Sequence, residues 1–265
     1  MSWCIAAYST ILFYELSPVL LQNSRWRRLL PIIKKYTIPI VIAGVTLSTM
    51  HQSSLGTLFV IMSPRLHPLW YSMLLPVFFL VSSFAAGISM VISGATISYW
   101  LFGRSLRRRT IAKLGWFLPW ILGFYLVLKF GELLIANELD LLFAGGPYTF
   151  LFWTEIIVGV MIPIVLFAFR QVRESRAASL FGAFLIMGGV ILNRFDVTWF
   201  AMKPIPGESY SPHWMELAIL MGVVAGIITV YSLVARYFPV YEETNSYKLR
   251  QAESARLEEA HAVGD

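Results

Sequence analysis

The chain has 265 residues, 57% of them hydrophobic and 14% charged, with 9 Trp and 19 Phe, and its mean hydropathy is +0.68. A soluble core of this length does not need so much apolar surface, so the composition excludes an ordinary water-soluble domain and indicates an integral membrane protein. The net charge of +6 comes from basic residues in short loops between apolar segments, a topology pattern and not a nucleic-acid footprint, and the single cysteine, Cys4, excludes an intrachain disulfide, an iron–sulfur cluster or a structural zinc site built on thiolates.

A bilayer core takes about 20 apolar residues as helix. Seven segments reach that length: 3–21, 36–62, 69–102, 114–137, 150–169, 178–200 and 214–238. The predicted fold is all-α, a bundle of about seven transmembrane helices over 1–240 followed by a polar, helix-prone cytoplasmic tail over 241–265. The first segment holds Glu15 and lacks the basic flank and small-residue cleavage site of a signal peptide. The second and third are longer than one crossing requires, which allows tilt or kinks at Pro39 and Pro76.

Lys and Arg alternate between loops. Arg25, Arg27, Arg28, Lys34 and Lys35 precede the second span, and Arg104, Arg107, Arg108, Arg109 and Lys113 precede the fourth. Arg170, Arg173 and Arg176 precede the sixth, whereas the intervening loops hold only Arg65 and Lys203. The positive-inside rule places the basic loops and the C-terminus in the cytoplasm and the N-terminus outside.

Ionisable groups inside hydrocarbon are costly and mark either function or structural pairing. The second span contains LSTMHQSSLG (47–56), where His51 has Gln52 beside it and Ser48 near one helical turn away. An imidazole with an amide and a hydroxyl can bond a quinone carbonyl and pass protons; alternatively it bonds a neighbouring helix, with Gly56 allowing close packing. Lys129 and Glu132 are three apart in the fourth span and can share a helix face. Arg194 and Asp196, with Asn193, lie within one turn of the sixth. In the orientation above Lys129, Glu132, Glu155, Arg194, Asp196 and Glu216 occupy the outer half of the membrane, as a site open to the outer surface requires, and His51 lies near its middle. The other reading is a set of interhelical ion pairs. Glu155 and Glu216 lie nearer span ends, where a carboxylate reaches the interface or favours its own helix N-terminus. His67, Trp70, His213 and Trp214 fall at the outer edge, and with Glu216 they are the candidates for facing a partner. Only His51 is well inside a span, so a bis-histidine haem is not expected in this chain, and no metal site is expected.

GVTLSTMHQSSLGTLF (44–59), LHPLWY (66–71), FWTEIIVGVMIP (152–163), GGVILNRFDVT (188–198) and YSPHWMELAI (210–219) together resemble the NrfD/polysulfide reductase membrane-subunit family. The nearest branch is that of the integral membrane subunits of periplasm-facing uptake nickel–iron hydrogenases. The resemblance implies a helical bundle without haem or iron–sulfur cluster of its own. It would exchange electrons between a membrane quinone, menaquinone or ubiquinone, and a ferredoxin-like iron–sulfur subunit on the outer face, itself coupled to a catalytic hydrogenase or other oxidoreductase subunit. It also implies that His51 and Gln52, with Ser48, line the space that serves quinone or protons. Branch members carry further helices before the point equivalent to Met1, so preceding helices are expected, in odd number if the true N-terminus is cytoplasmic.

The expected function is therefore a quinone-reactive anchor in the cytoplasmic membrane of a bacterium or archaeon. Glu15, Lys129, Glu132, Arg194 and Asp196 would form a proton or charge network, possible proton translocation included. Rival expectations are a secondary transporter coupled through Lys129, Glu132, Arg194 and Asp196, or a passive anchor. Transporter folds commonly show inverted repeats and broken helices around a midplane site, whereas here the polar cluster is one-sided and no repeat is evident.

Overall fold

The computed structural model describes residues 2–21, 30–62, 65–102, 108–202 and 213–237. Among them the chain is nearly all helix: α1 (Ser2–Leu21), α2 (Leu30–Ile61), α3 (Leu75–Phe102), α4 (Arg108–Ile135), α5 (Pro147–Ile156), α6 (Ile162–Ala168), α7 (Arg170–Glu174), α8 (Arg176–Phe195) and α9 (Trp214–Tyr237). Two π-helical turns, Ile157–Met161 and Asp196–Phe200, extend α5 into α6 and lengthen α8. No named strand occurs among the described residues; Leu66 and Met202 form an isolated bridge. The expected tail, the basic residues Arg25, Arg27, Arg28, Arg104 and Arg107, and Lys203 lie outside the described residues.

Among the described residues four helices are long and apolar enough to cross a membrane: Leu75–Trp100, Arg109–Ile135, Pro147–Ala168 and Arg176–Phe200. They coincide with the expected third to sixth spans, with one difference: residues 69–74 are loop, so α3 begins later than the apolar run. Hydropathy does not register that Pro68 and Pro76 flank this stretch and restrict helix on either side.

The contacts fall into two compact units. One comprises 1–8 and 43–208, the other 9–42 and 209–265. In the first, α3, α4, α5–α6 and α8 pack on one another. Helix α4 shows how: Ile111, Gly115, Leu118, Leu122, Tyr125, Lys129 and Leu133 are buried at three- and four-residue spacing, while Trp120, Phe124 and Val127 are exposed. Both faces are apolar, as expected where lipid replaces water outside and side chains fill the inside. Helix α3 contributes small buried hydroxyl residues, Ser82, Ser89, Ser93 and Thr96, each bonded to the carbonyl four residues back. That satisfies the hydroxyls within the helix and lets its neighbours approach.

The antiparallel order gives this unit two ends. At one end, His67 N–H donates to Ala201 O at 2.9 Å, His67 stacks on Tyr148 with ring centroids 4.5 Å apart, and Trp153 Nε1 donates to Leu142 O at 3.1 Å. At the other, Arg173 Nη1 donates to Phe167 O at 2.7 Å and the Arg176 guanidinium lies 3.7 Å from the Tyr99 ring centroid. In the second unit, Tyr14 of α1 donates to Ile33 O of α2 at 3.2 Å, and α9 is exposed over Trp214–Val230.

Candidate polar site in the membrane interior

Glu155 is the centre of the polar interior. It is 2% exposed, eight residues into the Pro147–Ala168 span, or about 12 Å along the axis. Three donors from three separate segments meet it. Trp70 Nε1, from the loop before α3, donates to Oε2 at 2.9 Å. Asn193 Nδ2, from α8, donates to Oε1 at 2.9 Å, and the Tyr125 hydroxyl, from α4, donates to the same oxygen at 3.3 Å. These donors occupy lone pairs of a carboxyl that burial would otherwise leave unsatisfied. Sequence reasoning read Glu155 as a carboxylate near a span end. The structure buries it; the signal was an acidic residue in the middle of the apolar run FLFWTEIIVGVMIP.

Arg194 joins the same network from the other side. Its Nη2 donates to Ser82 Oγ at 3.0 Å and Phe79 O at 3.2 Å, its Nη1 reaches Asn193 Oδ1 at 3.5 Å, and its guanidinium carbon lies 3.4 Å from the Phe79 ring centroid. Asn193 thereby connects the Arg194 guanidinium to the Glu155 carboxyl with both ends of its amide. Lys129 is 2% exposed, its ammonium 5.2 Å and 5.8 Å from the Phe78 and Phe152 ring centroids. Lys129 forms no ion pair with Glu132; Glu132 is half-buried and within hydrogen-bonding reach of Ser72. Asp196 is wholly buried and faces Glu155 within hydrogen-bonding reach, yet neither of its oxygens has a hydrogen-bond donor.

The local backbone explains the placement. Pro163 lacks the N–H that would bond Gly159 O, and the helix widens into the π turn Ile157–Met161 just below Glu155. At that turn a Cβ on Gly159 would lie 2.6 Å from Gly189 Cα, so α8 crosses at backbone contact. The second π turn is closed by Ala201 N–H donating to Asp196 O at 2.8 Å, which holds Asp196 against the cluster. Beside the crossing, a cavity of about 20 Å³ is bordered by Ser82, Tyr125, Glu155, Gly159, Gly189 and Asn193. That is space for one water, too small for a quinone ring.

The remaining expected site residues are dispersed. His51 is half-buried, its ring centroid 6.0 Å from that of Tyr8, and its Nδ1 is buried without a hydrogen-bond partner. Gln52 is half-buried and Ser48 is exposed. Glu15 is exposed on α1, in the second unit. Trp70, expected to face a partner, is fully buried, and its indole N–H donates to Glu155. His67 is half-buried at the end that carries the cluster. His213, Trp214 and Glu216 are exposed at the start of α9, where His213 Nδ1 accepts from Met215 N–H at 3.4 Å. Among the described residues no group of three or more His, Cys, Asp or Glu is placed to hold a metal ion.

The family model described as Polysulphide reductase, NrfD matches residues 4–202. A protein of Nitratidesulfovibrio vulgaris is 36% identical over 255 residues, which cover 92% of this chain and 65% of that protein. The probable Ni/Fe-hydrogenase 2 b-type cytochrome subunit of Escherichia coli K12 is 32% identical over 240 residues, covering 89% of this chain and 61% of its own. The menaquinone reductase, integral membrane subunit, of N. vulgaris is 25% identical over 269 residues, covering 91% and 64%. The chain thus spans somewhat less than two thirds of the length of these curated relatives.

Proposed function

The chain belongs to the polysulphide reductase NrfD family of multi-pass membrane proteins, and on that premise we propose that it is the quinone-reactive membrane subunit of a respiratory oxidoreductase, of the hydrogenase type. Electrons pass between an iron–sulfur partner subunit and menaquinone or ubiquinone. The relatives named as a hydrogenase cytochrome subunit and a menaquinone reductase subunit support this reading.

The observation that carries it is the one-sidedness of the polar interior. Glu155, Asp196, Asn193, Arg194 and Lys129 lie in the half of the first unit that ends at His67 and Tyr148, opposite the end with Arg170, Arg173 and Arg176. With the arginine end in the cytoplasm, the N-terminus is outside, the C-terminus is inside after seven crossings, and the polar cluster faces the outer side. Reducing a quinone takes two electrons and two protons. The electrons come from the docked partner, and the chain positions the headgroup and supplies protons. His51, with Gln52 and Ser48, is the headgroup contact: its unpartnered buried Nδ1 is the group a quinone carbonyl would satisfy. Glu155 and Asp196 join Lys129, Glu132 and Arg194 in the proton network. His67 and the start of α9 at His213, Trp214 and Glu216 face the partner.

The test is purification through a C-terminal tag from the native host in mild detergent, with subunit identification and iron content on one sample. Co-purifying iron–sulfur and oxidoreductase subunits, with quinone reduction by the complex, is the expected result. An iron-free chain that purifies without such subunits overturns the reading.

A further inference from the structure

Glu155 and Asp196 face each other in the interior, but their surroundings differ. Glu155 accepts three hydrogen bonds, from Trp70, Tyr125 and Asn193. Asp196 is 0% exposed and neither of its carboxyl oxygens meets a donor. Were both ionised, two like charges would be in contact and Asp196 would hold an unsatisfied buried anion, among the costliest arrangements in a protein interior. The cations nearby do not relieve it. The Arg194 guanidinium is turned to Phe79, Ser82 and Asn193, and the Lys129 ammonium lies over the Phe78 and Phe152 rings. A proton on either carboxyl would give the pair one O–H···O⁻ bond and remove the repulsion. It belongs on the group without donors, because the group with three is the better anion.

We propose that Asp196 is protonated and donates to Glu155, so that the two carboxyls form a singly charged pair that stores one exchangeable proton next to a buried water. The water site is the 20 Å³ cavity where Ser82, Tyr125, Glu155 and Asn193 interrupt an otherwise apolar lining of Val81, Ile121, Leu122, Val160 and Val190; a buried water needs two to four polar partners, and these four residues are the ones at its wall. Glu155 borders this cavity and Asp196 does not. Release therefore runs in one order: the proton crosses from Asp196 to Glu155, the Glu155 O–H bond breaks as the water takes the proton, and the pair goes from one negative charge to two. A proton returned by the water reverses each step. The groups facing the pair are Tyr125 and Lys129 from α4, and Asn193 and Arg194 from α8. The use of the stored proton in quinone reduction rests on the function proposed above; its presence on Asp196 does not.

Infrared spectroscopy of the detergent-purified complex, without quinone, tests the assignment. The difference between wild type and Asp196→Asn is expected to contain the carbonyl stretch of a protonated carboxylic acid, and that band must move when the protein is grown on isotope-labelled aspartate. Loss of an ionised-carboxylate band in its place overturns the proposal. Asp196→Asn keeps an N–H donor toward Glu155 and is expected to assemble. If it does not, Glu155→Gln carries the test: the aspartate acid band must shift as its acceptor changes from carboxylate to amide, and an unchanged spectrum in that region overturns the proposal. With no quinone in the sample, the outcome is independent of whether the complex turns over quinone.

Discussion

Gly159 and Gly189 cross with their backbones in contact, a Cβ on Gly159 lying 2.6 Å from Gly189 Cα. The crossing joins the π turn below Glu155 to the helix that carries Asn193, so the 2.9 Å Glu155–Asn193 bond depends on two missing side chains. Gly189→Val forces the helices apart and is expected to destabilise the chain by about 1–3 kcal/mol, the usual range for overpacking. Thermal unfolding in detergent measures it. Gly188→Ala is the control, since a Cβ there meets nothing within 4 Å; equal stability of the two variants would refute the close crossing.

Trp70 and Glu155 are 85 positions apart and share a 2.9 Å bond to a buried carboxylate. Trp70→Phe keeps an aromatic ring and removes the N–H. A double-mutant cycle with Glu155→Leu is expected to give a coupling of about 1.5–3 kcal/mol, the range for bonds to charged groups. Additive losses would mean that the indole contributes packing alone.

Gly56 closes the HQSSLG stretch against the start of α3, where a Cβ would lie 2.6 Å from Pro76 Cα and 2.7 Å from Leu75 O. Both are backbone atoms that cannot swing away. Gly56→Ala is expected to lower the unfolding temperature, whereas Gly87→Ala, with nothing within 4 Å, leaves it unchanged or raises it through helix propensity.

His51→Ala tests the headgroup contact. Loss of a positioned donor and proton carrier is expected to reduce quinone reduction by roughly 100-fold or more, with subunit composition and iron content unchanged. Full activity would assign His51 a packing role against Tyr8.

Orientation follows from single cysteines in a Cys4→Ser background. Ser175→Cys, in the exposed turn between Arg173 and Arg176, is expected to react with an impermeant maleimide only in inverted vesicles. Ala144→Cys, in the exposed loop before α5, is expected to react only in right-side-out vesicles. The reverse pattern would invert the topology and place the polar cluster toward the cytoplasm.

Hydropathy alone located spans at 69–102, 114–137, 150–169 and 178–200, and each overlaps a helix long and apolar enough to cross a bilayer, because in lipid each segment must close its own backbone bonds and length then follows from membrane thickness. The residue list did the same for Lys129, Arg194 and Asp196 as costly groups in the interior. Their partners were not legible. Lys129 and Glu132 share a helix face, yet Lys129 turns to Phe78 and Phe152; Trp70 sits at the edge of a hydrophobic run, yet reaches Glu155. In an apolar solvent the outside of a helix is as hydrophobic as its inside, so periodicity does not say which face meets a neighbour. Only the packing of α3, α4, α5 and α8, drawn together at Gly159 and Gly189, decided that three residues lying 30 to 85 positions from Glu155 would meet at its buried carboxylate.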